Sequence, residues 1–154
     1  MMEEEMDSAL FNEERTKRYC LWRIWDNSKH KILFVINNPG FGDEVSDDDD
    51  VLYCKEIAKH FGAGGLYICC SYPGLKEDEL LDSGDAKNDS VIMQTGVKTG
   101  NAIFCWKGNN MSKQNQRDLE IYTILSYIGC RVNVLKEHSK RIGSPVSGYL
   151  LEKF

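Results

Sequence analysis

The stretch Lys31 to Asp43, KILFVINNPGFGD, decides the fold. Its apolar part, Ile32 to Ile36, is an unbroken run of Ile, Leu, Phe and Val. A strand of this kind suits a sheet that is covered on both faces, and such sheets are nearly always parallel. Ligands bind at the carboxyl ends of the strands in an open α/β sheet, so a functional site is expected directly after Ile36.

Two interpretations of the residues after this strand are open. Asn, Pro and Gly are the residues that make tight turns, so the segment can be a turn and nothing more. The alternative is a ligand site at the strand exit. To such a site the segment would contribute Asn37, Asn38, Pro39, Gly40, Phe41 and Asp43.

The length and composition predict one soluble globular domain. The chain has 154 residues, of which 42% are hydrophobic and 28% are charged, and a domain of this size buries a substantial core. No apolar run is long enough to span a membrane, and the acidic N-terminus lacks the pattern of a secretory signal. We therefore expect a cytoplasmic protein, with residues 1–16 as an acidic arm or short helix and residues 17–154 as a single α/β domain.

Charge is distributed unevenly along the chain. Residues 1–96 carry ten Lys/Arg against twenty Asp/Glu, a balance of −10, whereas residues 97–154 carry nine against four, a balance of +5. A long polyanion would be repelled by one half and attracted by the other. Duplex DNA is therefore compatible with the charge pattern without being favoured by it. A small anionic ligand, or a basic protein surface that meets the acidic N-terminal half, fits equally well.

The cysteines and the aspartate run have structural explanations. The six cysteines form no CxxC pair and no zinc-type Cys/His spacing, and in a reducing compartment they act as small buried hydrophobes. Cys70 remains a candidate site residue because it ends a predicted strand. The four aspartates from Asp47 to Asp50 lack the calcium-loop pattern, and one of them is expected to cap the helix that follows. We expect no metal and no other cofactor.

The rest of the chain alternates between strands and helices. Three segments repeat apolar residues at helical spacing, and three more resemble the first buried strand. A strand at Arg18 to Trp25 precedes them and is expected at an antiparallel edge. The predicted helices are Val51 to Phe61, one capped by Asn88 or Asp89 that runs through Val97, and Gln116 to Ile128; the further strands are Leu66 to Ser71, Asn101 to Trp106 and Cys130 to Leu135. This order predicts a three-layer α/β sandwich with a central four-stranded, mainly parallel sheet plus the N-terminal edge strand.

All four strand exits are expected at one edge of that sheet, because the crossovers between parallel strands are right-handed. Besides the residues after Ile36, the exits would bring together Cys70, Ser71, Tyr72, Trp106, Lys107 and the segment from Lys136 to His138. Such a convergence of polar groups favours a ligand site over a simple turn.

The residue types at this edge suit a nucleobase. A flipped or free base needs an aromatic face on which to stack and amide groups that read its edge. The stacking candidates are Tyr72, Phe41 and Trp106, the amide candidates are Asn37, Asn38 and Asn109, and the candidates that hold phosphate are Lys107, Lys140 and Arg141. The alternatives are solvated surface charges for the basic residues and a place in the core for the aromatic ones, which we expect for Phe41.

The chain resembles a family of small bacterial and phage proteins that is known only as domain of unknown function sixteen forty-three. The resemblance spans nearly the whole chain and depends on the order and spacing of many short motifs. These are Arg18-Tyr19, Leu21, Arg23, Trp25, Asn38-Pro39, the acidic run before Val51 and Cys54, Phe61-Gly62, Gly64-Gly65-Leu66, Asn88-Asp89, Trp106 and Gly143-x-Pro145.

That family in turn resembles the uracil-DNA glycosylase superfamily, and the motif Ile36 to Gly40 is similar to the Gly-Ile-Asn-Pro-Gly of mismatch-specific glycosylases. The resemblance implies a glycosylase-like fold. It gives Asn38 the role of holding the water that attacks the sugar. A second glycosylase motif, Asn-Pro-Ser-Gly-Leu, keeps its Ser-Gly core here at Ser147-Gly148.

The function we expect is recognition of a nucleobase, nucleotide or nucleic acid, with an N-glycosidase acting on a nucleoside or DNA base as its enzymatic form. The alternative is a non-catalytic binding protein, of the phage type that sequesters a nucleotide signal or inhibits a protein. Cys70 replaces a strand-ending Asn of the family, and Ser147 to Leu150 replace its usual His-Pro-Leu-Tyr. Loss of such polar residues suits the alternative. A third interpretation is a structural interaction module that uses the acidic half.

Overall fold

A computed structural model describes residues 6–75, 85–105, 116–137 and 149–154 of the chain. These residues form an α/β fold with seven strands and three helices. The elements in chain order are β1 (Asp7–Phe11), β2 (Arg18–Ile24), β3 (Lys31–Ile36), α1 (Asp49–His60), β4 (Gly65–Cys70), α2 (Ala86–Thr99), β5 (Asn101–Phe104), α3 (Gln116–Tyr127), β6 (Arg131–Glu137) and β7 (Tyr149–Lys153).

All seven strands belong to one mixed sheet with the order β1-β2-β4-β3-β5-β6-β7. The pairs β4–β3, β3–β5 and β5–β6 are parallel. The pairs at the two sides, β1–β2, β2–β4 and β6–β7, are antiparallel. The continuous apolar strand β3 therefore lies at the centre of the sheet, as its sequence predicts.

Helices cover both faces of the sheet, which gives three layers. Phe34 and Ile36 of β3 pack with Val51 and Ile57 of α1 in one core. Leu33 and Val35, which point to the opposite face, pack in a second core with Ile92 of α2 and with Ile121 and Leu125 of α3. The alternation of side chains along a strand thus assigns one face of β3 to each helical layer.

The predicted sheet is wrong in extent and at both of its sides. Residues 7–11 form β1, the edge strand, in place of the expected acidic arm or helix. The strand predicted at the edge, β2, is an inner strand between β1 and β4. β7 adds the opposite edge. Edge strands are short and half-exposed, so they lack the continuous apolar run that marks a central strand.

The N-cap of α1 is as predicted, and the N-cap of α2 is not. Asp48 caps α1, as expected for one member of the aspartate run, and its carboxylate accepts a hydrogen bond from Val51 N–H at 3.0 Å. Asp85, three residues before the expected position, caps α2 by accepting from the backbone of Lys87 and Asn88. None of the helices in the described ranges combines the length and apolar character that crossing a membrane requires.

Candidate functional site

The carboxyl edge of the parallel strands contains a topological switch point. From β3 the chain passes through α1 to β4, the neighbour on one side, whereas from β5 it passes through α3 to β6, on the other side. The connections leave these two adjacent strands in opposite directions, and ligands of open α/β sheets bind in the crevice that results. The segment after Ile36 lies at this crevice.

Backbone hydrogen bonds join the exits of β3 and β4. Ser71 N–H donates to Ile36 O at 2.8 Å and Tyr72 N–H donates to Asn37 O at 2.9 Å, which continues the parallel pairing past the end of both strands. The Asn38 side-chain Nδ2 lies 3.4 Å from Tyr72 O, within hydrogen-bonding distance. The four predicted site residues Asn37, Asn38, Ser71 and Tyr72 are therefore held together as one unit.

The loop that follows Asn38 closes around the carboxylate of Asp48. Besides capping α1, this carboxylate accepts a hydrogen bond from Gly42 N–H at 2.8 Å. There is no room for a side chain at either glycine of the loop. A Cβ on Gly40 would lie 2.5 Å from Asp48 Oδ2, and one on Gly42 would lie 2.9 Å from the same atom. The two glycines of the sequence motif are thus required by close approach to a buried carboxylate.

A fully buried arginine of β2 completes this closure. Arg18 Nη1 donates to Gly42 O at 3.0 Å and lies 3.6 Å from Asp48 Oδ2. Arg18 is 0% exposed and Asp48 is 3% exposed, so the charges are paired inside the protein, where an unpaired charge would be strongly unfavourable. Both the N–H and the C=O of Gly42 are therefore fixed by one buried ion pair.

A second arginine of β2, Arg23, fixes the far end of the same loop. Its guanidinium donates to Asp47 Oδ1 at 2.8 Å, to Asp43 O at 2.7 Å and to Ser46 O at 3.0 Å. Burial works against ionisation of Asp47, but hydrogen bonds from Arg23 and Lys55 outweigh it and lower the pKa of Asp47. The aspartate run is therefore part of the structural support of the loop.

Two predicted site residues of this loop differ in where their side chains point. The Asp43 carboxylate accepts hydrogen bonds from the N–H groups of Val45 and Ser46, which lower its pKa, so it stabilises its own turn. Phe41 is 79% exposed. The expected place of Phe41 in the core is therefore wrong, because the closure around Asp48 fixes the backbone with this side chain directed outward.

Cys70 is completely buried in the core that contains α1. Burial raises the pKa of its thiol to about 12, although the neighbouring Arg18 guanidinium acts in the opposite direction. A thiol with such a pKa stays protonated near pH 7 and is a poor nucleophile. The position at the strand end is as predicted, and the chemistry of the thiol is that of a core side chain.

A third side of the site is formed by the first turns of α2 and α3, which the sequence did not indicate. Arg117 of α3 donates from Nε to Ser71 O at 2.9 Å and from Nη2 to Asp89 Oδ1 of α2 at 2.6 Å. Asn88, also of α2, donates from Nδ2 to Cys70 O at 2.9 Å. A charged residue inside a helical segment is usually read as solvent-exposed, so neither residue type nor spacing identified Arg117 as a site residue.

The Tyr72 side chain is half-buried and lies near the first turn of α3. Burial raises the pKa of its phenol, the negative charge of Asp118 raises it further, and Arg117 lowers it. The phenol therefore remains protonated at neutral pH. It can donate a hydrogen bond while its ring offers an apolar face.

Other predicted residues lie outside the described ranges. These are Trp106, Lys107, Asn109, His138, Lys140, Arg141 and Ser147, so their expected roles stay predictions. Within the ranges that are described, no three His, Cys, Asp or Glu side chains are grouped so that they could hold a metal ion.

Comparison with known proteins gives one match. A family model described as protein of unknown function (DUF1643) matches residues 18–145. No match was found among curated proteins or among solved structures. The matched range begins with the buried Arg18 and includes the loop, both of its arginine anchors and the first turns of α2 and α3. The chain therefore belongs to the family of proteins of unknown function called DUF1643.

Proposed function

We propose that this protein binds a nucleobase or nucleotide in the crevice at the exits of β3 and β4, on a fold of the uracil-DNA glycosylase type. One observation carries the proposal. Asn37 and Asn38 follow β3 beside the switch point, and hydrogen bonds join them to Ser71 and Tyr72 at the neighbouring exit of β4, on the edge where such sheets bind their ligands. Carboxamides and an aromatic ring are the groups that recognise a base by its edge and its face.

The rigidity of the site supports recognition of one class of ligand. Asp48, Arg18 and Arg23 fix the loop after β3 through buried hydrogen bonds, so little ordering is left to occur when a ligand binds. Pre-organisation of this kind reduces the entropic cost of binding. Phe41, on the same loop, adds an exposed aromatic side chain.

Binding without turnover is the form of the proposal that the loop supports best. Three carboxylates of the loop, those of Asp43, Asp47 and Asp48, are engaged by backbone N–H groups or by arginines. A general base must reach the proton that it removes. These three carboxylates accept hydrogen bonds that hold the loop, so none of them is placed to act as that base. If the protein is an N-glycosidase, hydrolysis depends on Asn38 as the group that positions the attacking water.

A ligand screen with one matched pair of variants tests the proposal. Free nucleobases, nucleosides and nucleotides are added to the protein, and a ligand that binds the folded state raises the thermal midpoint. Asn38→Ala should abolish the shift. Asn27→Ala should leave it unchanged, since Asn27 is exposed in the turn before β3, at the opposite edge of the sheet. No shift with any base or nucleotide at millimolar concentration would refute the proposal.

The same variants separate binding from catalysis. Released base is measured by chromatography after incubation with nucleosides and with uracil-containing or mismatched DNA. Release that Asn38→Ala abolishes and Asn27→Ala preserves would make the protein an N-glycosidase. A ligand-induced thermal shift without release identifies a binding protein.

A further inference from the structure

Arg117 lies beside the predicted site residues. Its contact with them is to the backbone of Ser71 and not to a side chain. Arg117 is 4% exposed. Its Nε donates to the backbone carbonyl of Ser71 at 2.9 Å, and its Nη1 and Nη2 donate to Glu120 at 3.2 Å and Asp89 at 2.6 Å. One guanidinium thus connects the first turn of α3, the first turn of α2 and the exit of β4.

We propose that Arg117 is a positioning residue that holds Ser71 and Tyr72 in the geometry needed for ligand binding. The inference deepens the proposed nucleobase site and rests on it for the identity of the ligand. The contacts of Arg117 with the exit of β4 do not depend on that identity.

The backbone of the β4 exit is held from both sides. On one side, the N–H groups of Ser71 and Tyr72 donate to the exit of β3. On the other side, Arg117 and Asn88 donate to the carbonyls of Ser71 and Cys70. Removal of the Arg117 contact would leave the Ser71 carbonyl without its side-chain donor and allow the peptide after it to rotate. Tyr72, the next residue, would move with that peptide.

The hydroxyl of Ser71 is a second unusual feature of the β4 exit. Ser71 is 0% exposed, and no described residue hydrogen-bonds to its Oγ. Buried hydroxyls are nearly always satisfied, so this one calls for a partner, and a polar ligand group is one that the proposed site would supply. Arg117 holds the backbone of the same residue through its carbonyl oxygen.

Lysine cannot reproduce the contacts of Arg117. The guanidinium is a planar fork whose separate nitrogens reach three acceptors, whereas lysine carries one ammonium on a flexible chain. Arg117→Lys keeps the positive charge beside Asp89 and Glu120 but loses the simultaneous bond to Ser71 O. It is therefore the variant that separates charge from positioning.

The experiment compares Arg117→Lys with Ile121→Val, a small truncation in the core one turn further along α3. Ile121 is fully buried in the core between the sheet and the helices α2 and α3. Its truncation therefore lowers stability without removing a contact to Ser71 or Tyr72. Binding of uracil, thymine, cytosine, adenine and guanine, and of their nucleosides, is measured by calorimetry for both variants. Amide hydrogen exchange of Tyr72 N–H, which donates to Asn37 O, is measured without any ligand.

Arg117→Lys should weaken binding about tenfold, as expected for a lost hydrogen bond to a charged group, and should speed exchange of the Tyr72 amide. Ile121→Val should do neither beyond its effect on overall stability. Unchanged exchange of the Tyr72 amide in Arg117→Lys would overturn the inference, as would equal losses in the two variants. If no base binds the unaltered protein, the proposed function fails, and the exchange measurement still decides the role of Arg117.

Discussion

The carboxylate of Asp48 accepts a hydrogen bond from the backbone N–H of Gly42 at 2.8 Å, six residues earlier in the chain. The same carboxylate caps α1 through Val51 N–H. One side chain therefore joins the loop that carries Asn38 to the start of a helix. Together with the bond between Lys55 of α1 and Asp47, this carboxylate fixes the candidate site relative to α1.

Replacement of Asp48 should destabilise the protein strongly. Asp48→Ala removes the partner of the fully buried Arg18 and the helix cap, and loss of one member of a buried ion pair costs about 3–5 kcal/mol of the free energy of unfolding. Asp48→Asn keeps a capping oxygen and should cost less. Denaturant unfolding measures both. Asp49→Ala, at an exposed neighbour in the first turn of α1, is the control and should cost less than about 1 kcal/mol.

Gly40 should not tolerate a side chain while Asp48 is present. A Cβ at this position would lie 2.5 Å from Asp48 Oδ2, so Gly40→Ala forces the loop or the carboxylate to move, at a cost of about 1–3 kcal/mol. In an Asp48→Ala background the obstructing oxygens are gone. The two substitutions should therefore be non-additive in a double-mutant cycle. Additive costs would mean that the close approach does not determine the glycine.

The pH dependence of stability should contain a contribution from Asp47. Hydrogen bonds from Arg23 and Lys55 lower the pKa of Asp47 in the folded protein, against the effect of burial. A carboxyl with a depressed folded-state pKa stabilises the fold above its unfolded value of 3.8 and loses that contribution as the pH falls through the folded value.

Asp47→Asn should therefore lower stability at pH 7 and flatten the decline of stability below the ordinary aspartate pKa. Unfolding midpoints in urea, recorded from pH 7 down to acid, give the two curves. Glu56→Gln, at an exposed position on α1, serves as the control and should leave the shape of the curve unaltered. Parallel curves for the unaltered protein and Asp47→Asn would contradict the assignment.

Phe41 should matter for binding and not for stability. Because its side chain is 79% exposed, Phe41→Ser should change the free energy of unfolding by less than about 0.5 kcal/mol. Stacking of a base on an aromatic side chain contributes about 1–3 kcal/mol, so affinity for a nucleobase should fall. Tyr127 is 90% exposed at the C-terminal end of α3, at the opposite edge of the sheet. Tyr127→Ser should leave both quantities unchanged.

The central part of the fold was predictable because its sequence signals are strong. The central strands β3 and β4 are nearly continuous apolar runs, β5 is a short one, β6 alternates Val132 and Val134 with polar residues, and α1 repeats apolar residues at helical spacing. The buried face of α3 does not follow from its own sequence pattern. Leu119 is 42% exposed, whereas Ile121 and Leu125 are fully buried. Apolar residues cover so much of the circumference of α3 that its packing against α2 and β6, and not its own pattern, decides the orientation.

The site was predictable only where it coincides with strand exits. Asn37, Asn38, Ser71 and Tyr72 follow buried strands, and parallel pairing brings them together. Arg117 could not be found in this way, because a buried arginine at the start of a helix looks like any exposed one in a sequence. The outward direction of Phe41 likewise depends on a carboxylate seven residues later, which local sequence patterns do not reveal.

The two arginines of β2 also have a consequence for the expected order of folding. Arg18 and Arg23 anchor the loop after β3, yet β2 pairs with β4 and β1, and not with β3. The loop can therefore reach its final conformation only after β4 has joined β3 and β2 has joined β4. Contacts between distant parts of a chain form slowly because of the entropy of loop closure. We therefore expect the central strands to pair first and the loop after β3 to become ordered later, which hydrogen-exchange labelling during refolding would test.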